Sequence, residues 1–202
     1  MSTYFQYGDD AVEYLCSKDR KLARAIDEFG HINREMDGTV FESVVKSIIG
    51  QQISTAAAKT VIARIEDTLG PISAESLSGS SIEELQAFGT TFRKAEYIRG
   101  FVDNVIKGEF DLHALDAMDD AEAIAYLSSI KGIGRWTSEM ILLFSMNRMD
   151  IFAFDDLGIH RGLRAIYHHK EIDRDRFERY RRRFSPYGSV ASLYIWEAAH
   201  RV

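Results

Sequence analysis

The amino-acid sequence predicts an all-α protein, and three observations support that prediction. Apolar residues recur at helical spacing along most of the chain, strand-like alternation is scarce, and glycines or helix-capping residues separate the periodic segments. The 202 residues are 46% hydrophobic, which is enough to bury a sizeable core in one domain or in two closely packed lobes.

Helical periodicity accounts for the first half of the chain. Ser54 has the position of an N-cap, and Gly70 that of a stop signal, around an alanine-rich segment. The segment Ser80-Ser81-Ile82-Glu83-Glu84 has the Ser-x-x-Glu form of a capping box and predicts the start of a short helix. The other helices predicted here cover residues 9–17, 19–29, 40–49, 55–69 and 93–107.

The second half continues in the same way on both sides of a tight glycine turn. Acidic residues at 119–122 complement the dipole of the helix that they precede, and Pro186 breaks a highly charged helix. The helices predicted here cover residues 123–129, 135–146, 158–167, 173–184 and 189–200.

Charge and cysteine content narrow the functional classes. A formal net charge of −6 excludes a uniformly basic nucleic-acid binder, so any nucleic-acid site must be a local basic face. Arg93, Lys94 and Arg99 are predicted to lie on a solvated helix face instead. The single Cys16 can form neither an internal disulfide nor an iron–sulfur cluster, which fits a cytoplasmic protein. No segment has the length and apolarity of a membrane span or signal peptide.

The turn Lys131-Gly132-Ile133-Gly134 is the most informative local motif. Two glycines allow positive φ angles and expose successive N–H groups at the start of the next helix, an arrangement that suits a phosphate. Lys131 and Arg135 add positive charge on both sides of the turn. The spacing alone leaves open a plain helix–glycine–helix connection.

Two motifs in order resemble the helix-hairpin-helix DNA glycosylases, and within them the 3-methyladenine DNA glycosylase II branch. One is the segment 130–137, Ile-Lys-Gly-Ile-Gly-Arg-Trp-Thr, followed at the family's interval by Phe154-Asp155-Asp156; the other is Ser-Ile-Ile-Gly-Gln-Gln-Ile-Ser at 47–54. The resemblance covers about residues 41–196. It implies one all-α HhH-GPD domain over 1–202, with two helical lobes, an active site in the cleft between them, a hairpin at about 120–147 and no N-terminal sheet domain.

The resemblance implies that Asp156 is the catalytic carboxylate. Such a group stabilises the positive charge that develops on deoxyribose as the base leaves, and orients or deprotonates the attacking water. Asp155 is the rival candidate, and we expect it to cap or position the helix that follows. The alternative is that both aspartates only cap that helix.

Position 136 predicts the reaction subtype. Relatives that also nick the DNA backbone carry a lysine there, whereas this chain has Trp136, so the resemblance implies a monofunctional glycosylase that uses water as its nucleophile. Trp136 and Trp196 are the predicted walls of a base pocket, because an indole face attracts a cationic alkylated purine. Met140 replaces an aromatic residue of some relatives and alters the predicted shape of that pocket.

The resemblance also assigns the predicted DNA contacts. Gln51, Gln52 and Ile53 form the predicted turn that enters the DNA stack, with Gln52 and Ile53 as the intruding pair. The backbone carbonyls of the hairpin are predicted to bind Na+ or K+ beside a phosphate, and no other cofactor is required. The predicted hairpin contacts are Lys131, Gly132, Ile133, Gly134, Arg135 and Thr137, and the predicted cation ligands are Ser128, Ile130 and Ile133.

The sequence therefore predicts a base-excision-repair glycosylase that removes alkylated purines from double-stranded DNA as a monomer. Two other classes stay open: a glycosylase for another lesion, such as uracil, mismatched thymine, hypoxanthine or ethenoadenine, and a DNA-binding module without catalysis. His160, His168 and His169 are predicted surface residues, since no partner carboxylate or thiolate stands at ligand spacing.

Overall fold

In the computed structural model, which describes residues 4–201, the chain is all-α, as predicted. An isolated bridge between Tyr4 and Glu35 is the one β-type pairing of this range. No helix within it is long and apolar enough to cross a membrane. The helices are α1 (Asp9–Lys18), α2 (Arg20–Phe29), α3 (Val40–Gly50), α4 (Thr55–Leu69), α5 (Ala74–Leu77), α6 (Ile82–Ala87), α7 (Phe92–Ile106), a 3₁₀ helix (Leu112–Ala117), α8 (Asp120–Ser128), α9 (Arg135–Met146), α10 (Leu157–Tyr167), α11 (Arg174–Phe184) and α12 (Gly188–His200).

The chain divides into two compact units. Asp37–Ile141 forms one, called here the hairpin unit, and the described residues on either side of it form the other, called the carboxylate unit. The carboxylate unit thus joins the two ends of the chain. Each unit has its own core.

Local capping chemistry explains where the helices start. The Ser54 side chain accepts the N–H of Ala57 at the start of α4, as predicted. Ser81 and Glu84 form a reciprocal capping box at the start of α6. The sequence did not predict α5 or the 3₁₀ helix, because segments of four and six residues are too short to show helical periodicity.

In the hairpin unit, α7 packs against α3, α5 and α6. A row of aromatic rings contributes to its core, with Phe41 stacked on Phe101 and Phe110 stacked on Tyr126. Arg99 on α7 donates to the carbonyls of Leu77 and Ser80 and is not a solvated side chain as predicted. It anchors the loop after α5.

In the carboxylate unit, α12 forms the centre and packs against α2, α10 and α11. Most of its residues are buried, including Tyr194 and Ile195. The approach of α10 to α12 requires a glycine, because a Cβ at Gly162 would lie 1.9 Å from the carbonyl oxygen of Ile195. The backbones of the two helices are therefore in direct contact at that level.

Candidate active site and DNA-binding turns

Asp156 lies at the N-terminus of α10 in the carboxylate unit. Its residue is 7% exposed, and its Oδ1 accepts two hydrogen bonds, from the backbone N–H of Ile159 at 2.8 Å and from Nε1 of Trp196 at 3.0 Å. The N-terminus of a helix carries a partial positive charge. The carboxylate is therefore held in one orientation by donors that favour its negative charge.

The structure corrects the prediction of which aspartate caps α10. Asp156, and not Asp155, is the N-cap of α10, which begins at Leu157. Asp155 is exposed in the turn before it. The N-cap position does not compete with a chemical role, because capping occupies one carboxylate oxygen and fixes the direction of the other.

Trp196 on α12 supports the carboxylate from the side. Its indole ring stacks on Phe144, with ring centroids 5.7 Å apart, and the guanidinium of Arg34 lies 4.5 Å from the centre of the Phe144 ring. Sequence reasoning assigned Trp196 to the base pocket alone. The hydrogen bond to Asp156 gives it a positioning role that the sequence did not reveal.

Gly158 and Gly162 are site residues that the sequence reading missed. A Cβ at Gly158 would lie 2.8 Å from Cδ1 of Trp196 and 3.0 Å from Oδ1 of Asp156. Together with Gly162, Gly158 gives α10 a bare face where it meets α12. The signal was present in the sequence as two glycines four positions apart, which share one face of a helix.

The predicted hairpin forms in the hairpin unit, between α8 and α9. Gly132 has a φ of +93°, and a Cβ there would lie 2.5 Å from Cδ2 of Tyr97. Gly134 has neither feature: its φ is not in the left-handed region, and a Cβ there would meet nothing within 4 Å. The two glycines were predicted to act alike, but only Gly132 is required by the conformation of the turn.

Side chains and backbone bonds hold the hairpin closed. The N–H of Ile133 donates to the carbonyl of Ile130 at 2.9 Å, and the hydroxyls of Ser128 and Ser138 lie 3.0 Å apart, which links α8 to α9. Arg135, an exposed residue, donates through Nε to the buried Glu139 at 3.0 Å. Part of the positive charge predicted for the turn is thus balanced within α9.

The Gln51-Gln52-Ile53 turn contacts the hairpin through one side chain. The Gln51 amide donates to the carbonyl of Gly132 at 2.7 Å. Gln52 has a φ of +58° and is exposed, and Ile53 is 40% exposed. The side chain of Gln51 is engaged within the protein, whereas Gln52 and Ile53 project from the turn.

Lys94 on α7 fixes the same turn and corrects a prediction. Its ammonium donates to the carbonyl of Ile49 at 2.8 Å and to that of Gln51 at 2.6 Å. Burial lowers the pKa of Lys94. Lys94 therefore closes the end of α3, and the prediction of a solvated lysine is wrong.

The family follows from a comparison with known proteins. Residues 45–186 match the model of the HhH-GPD superfamily base excision DNA repair proteins. This chain belongs to the HhH-GPD superfamily. The match includes both turns and Asp156, so the predicted family is confirmed.

Individual relatives of the HhH-GPD superfamily point to one branch. A solved DNA-3-methyladenine glycosidase from Bacillus halodurans is 34% identical, with a TM-score of 0.88 over 98% of this chain and 93% of that one. DNA-3-methyladenine glycosylase 1 of Schizosaccharomyces pombe is 26% identical over 92% of this chain and 85% of its own. The S. pombe enzyme Mag1 in complex with abasic DNA has a TM-score of 0.79 and 26% identity, covering 93% of this chain and 95% of that one.

The remaining predicted HhH-GPD site residues lie on α9. Trp136 is 45% exposed, Met140 is half-buried, and the two are one helical turn apart on the same face. Thr137 lies in the first turn of the same helix. Their contact with a base or with DNA stays a prediction.

The three histidines have separate surroundings, and no group of three or more potential metal ligands occurs within residues 4–201. His160 bonds to the carbonyl of Phe154 at 2.6 Å, and His169 bonds to the hydroxyl of Tyr180 at 2.8 Å. Only His168 is an exposed residue as predicted. The other two help to pack α10 and α11.

Proposed function

We propose that this chain is a monofunctional DNA glycosylase of base excision repair. Its substrates are alkylated purines of the 3-methyladenine and 7-methylguanine type in double-stranded DNA, and its product is an abasic site. It acts as a monomer, and because its substrate is cellular DNA we expect an intracellular protein. The observation that carries this proposal is the carboxylate of Asp156, buried and held by two donors, in a chain whose relatives include proteins named DNA-3-methyladenine glycosylase and glycosidase.

Asp156 supplies the electrostatic part of the reaction. An alkylated purine carries positive charge, so when its bond to C1′ breaks the base leaves with the electron pair as a neutral molecule. The positive charge then lies on the deoxyribose, where a fixed carboxylate stabilises it. The oxygen of a water molecule bonds to C1′, and its proton passes to Asp156 or to solvent. The cost of orienting the carboxylate is met during folding, by Ile159 and Trp196.

Trp136 favours hydrolysis over strand cleavage. A Schiff base with the sugar requires an amine, and an indole offers none. Lys131 lies on the hairpin, with its ammonium 5.6 Å from the centre of the Tyr97 ring. This placement suits a contact with a phosphate.

The base pocket is proposed to include Trp136, Met140 and Trp196. Aromatic faces attract a cationic purine by stacking and by cation–π interaction. The Trp196 indole already contacts Phe144 and Asp156, so its distance from the carboxylate is fixed. A neutral normal base gains less from such walls and keeps its stronger glycosidic bond.

The two turns of the hairpin unit are proposed to hold the DNA. The N–H groups around Gly132 and Gly134, with Lys131, bind a phosphate. Gln52 and Ile53 fill the space left in the stack by the flipped nucleotide. Both exposed side chains project from a turn whose backbone Lys94 fixes by donating to the carbonyls of Ile49 and Gln51.

We also propose that the hairpin binds a monovalent cation. The carbonyls of Ser128, Ile130 and Ile133 are its proposed ligands, and Na+ or K+ bound there would add positive charge beside the phosphate. The carbonyl of Ile130 accepts the N–H of Ile133, and a carbonyl oxygen has a second lone pair that can face an ion.

The test is the release of free base from methylated duplex DNA by the purified protein, with strand breaks scored before and after alkali. Release of methylpurines with breaks only after alkali is the expected result. Breaks without alkali would contradict the monofunctional subtype. If no methylpurine is released, duplexes with uracil, mismatched thymine, hypoxanthine or ethenoadenine test the other glycosylases. Binding without release of any base would leave the non-catalytic module.

A further inference from the structure

Two basic side chains from different elements meet at one tyrosine beside the hairpin. Arg93, in the first turn of α7, donates through Nε to the hydroxyl of Tyr97 at 2.6 Å, and its Cζ lies 5.5 Å from the ring centre. Lys131, on the hairpin turn, has its ammonium 5.6 Å from the centre of the same ring. One aromatic ring therefore gathers two positive charges.

The same ring touches the turn that is proposed to bind phosphate. The edge of the Tyr97 ring lies 2.5 Å from the position that a Cβ of Gly132 would take, so the ring packs directly on the backbone of the turn. Arg93 is consequently held next to the hairpin by a short hydrogen bond, although it belongs to α7. The hydrogen bond and the ring contact with Tyr97 orient the exposed guanidinium.

The stability of the fold does not explain why position 93 carries a positive charge. Neither Arg93 nor Lys131 forms an ion pair with a carboxylate within the described part of the chain, and both residues are exposed. A cation in the first turn of a helix also opposes the helix dipole. Its neighbour Lys94 offsets that cost through two bonds to carbonyl oxygens, whereas within residues 4–201 the Arg93 side chain donates only to Tyr97.

We propose that Arg93 and Lys131, arranged by Tyr97, form a phosphodiester-binding site that extends the hairpin's grip along one DNA strand. A guanidinium presents paired donors that match phosphate oxygens, and successive phosphates follow each other every ~3.4 Å of helix rise on one strand. The site rests on the proposed binding of duplex DNA. It adds Arg93 and Tyr97 to the DNA-binding surface, where sequence reasoning predicted only a solvated face.

Salt dependence of DNA binding tests the site without relying on catalysis. The probe is a short duplex that carries a stable abasic-site analogue, and its affinity is measured by titration at several KCl concentrations. Each phosphate contact contributes about −0.9 to the slope of log K against log salt. Arg93→Gln is expected to reduce the slope by about one unit and to weaken binding about 5- to 10-fold at ~0.1 M salt.

Lys107→Gln is the matched control, because it removes the same charge from the opposite end of α7. Lys107 is exposed at the C-cap, about 20 Å along the helix from Arg93. It is expected to leave the slope within experimental error of wild type. Tyr97→Phe keeps the ring but removes the hydroxyl that orients Arg93, and it is expected to weaken binding about 2- to 3-fold and less than Arg93→Gln.

The outcomes separate this site from the proposed function. If wild type releases methylpurines and Arg93→Gln keeps the wild-type salt slope, the phosphate site is wrong and the glycosylase stands. An equal loss in Arg93→Gln and Lys107→Gln would likewise overturn the site, since it would reflect net charge alone. If wild type does not bind the duplex at all, both proposals fail. The melting temperature of Arg93→Gln is expected to equal or exceed that of wild type, and a lower one would indicate a structural role instead.

Discussion

The hairpin unit and the carboxylate unit have different proposed tasks, DNA binding and catalysis, and they use different kinds of chemical group. The proposed DNA-binding surface uses backbone N–H groups and side chains, such as those of Gln52 and Arg93, that are exposed at the protein surface. The proposed catalytic group, Asp156, is buried and already has its donors in place. A surface that binds a long polyanion can be assembled from weak contacts, whereas a charge-stabilising carboxylate must be oriented before the reaction.

This contrast predicts where a small substitution is costly. In the carboxylate unit, the packing of α10 on α12 fixes the geometry, so added volume should damage both stability and chemistry. In the hairpin unit, substitutions at exposed residues should change affinity and salt dependence with little effect on folding.

The largest effect is expected from adding one methyl group between α10 and α12. Gly162→Ala places a Cβ against the backbone of Ile195 and should lower the free energy of unfolding by about 3 kcal/mol. Gly158→Ala meets the side chains of Trp196 and Asp156 instead, and should mainly slow base release, about 10-fold or more. Urea unfolding and single-turnover base release measure the two effects.

Gly100→Ala is the control for this pair. Gly100 lies inside α7, where a Cβ would meet nothing within 4 Å, so alanine should stabilise the protein by about 0.5–1 kcal/mol. Equal unfolding free energies for the Gly100 and Gly162 variants would refute the close contact of α10 and α12.

The next largest effect is a difference between substitutions at the two glycines of the hairpin. Gly132→Ala combines a positive φ with overlap against Tyr97, and should cost about 1–3 kcal/mol and about tenfold in DNA affinity. Gly134→Ala should leave stability within about 0.5 kcal/mol of wild type. Any loss of affinity in the Gly134 variant then measures the approach of the phosphate itself. If the two variants unfold alike, the assigned backbone of the turn is wrong.

A smaller effect is expected from removing the hydrogen-bond donor to Asp156. Trp196→Phe keeps an aromatic ring against Phe144 but removes the Nε1–H bond to the carboxylate. Base release under single-turnover conditions should slow about tenfold, because a hydrogen bond to a charged group is lost. Affinity for abasic duplex should stay within about threefold. A loss of affinity with an unchanged rate would assign Trp196 to DNA binding alone.

The smallest effect concerns the bond between the two turns. Gln51→Leu removes the donor to the Gly132 carbonyl and should cost about 1 kcal/mol of stability and a few-fold in DNA affinity. Gln86→Leu is the matched control, since its amide makes only a 3.5 Å contact with Thr90 in the same unit. Indistinguishable DNA affinities for the two variants would show that the bond does not matter for binding.

Much of this organisation could be predicted from the sequence, and the exceptions have physical reasons. Helices with clear periodicity and caps, such as α4 after Ser54, were predicted close to their observed bounds. The one-turn helix α5 was not, because four residues show no period. Motif spacing singled out Asp156, but its bond to Trp196 depends on residues that are distant in the sequence meeting in space.

Three basic residues of α7 show more clearly that the sequence alone does not predict which groups a side chain contacts. Arg93, Lys94 and Arg99 look alike in the sequence and were predicted to lie on one solvated face. In the structure Lys94 closes the end of α3, Arg99 anchors a loop, and Arg93 bonds to Tyr97. A cation's role depends on which carbonyl or ring it reaches, and periodicity carries no information about that.

The most direct test of the account is single-turnover release of methylpurines by Asp156→Asn. Asparagine caps a helix about as well as aspartate, so this change removes the charge and keeps the cap of α10. Asp119→Asn makes the same change at the cap of α8 and serves as the matched control. Asp156→Asn is expected to lower the rate at least about 100-fold and to leave the affinity for abasic duplex unchanged, whereas Asp119→Asn is expected to keep the wild-type rate. Release by Asp156→Asn within about threefold of wild type would contradict the assignment of the reaction to this carboxylate.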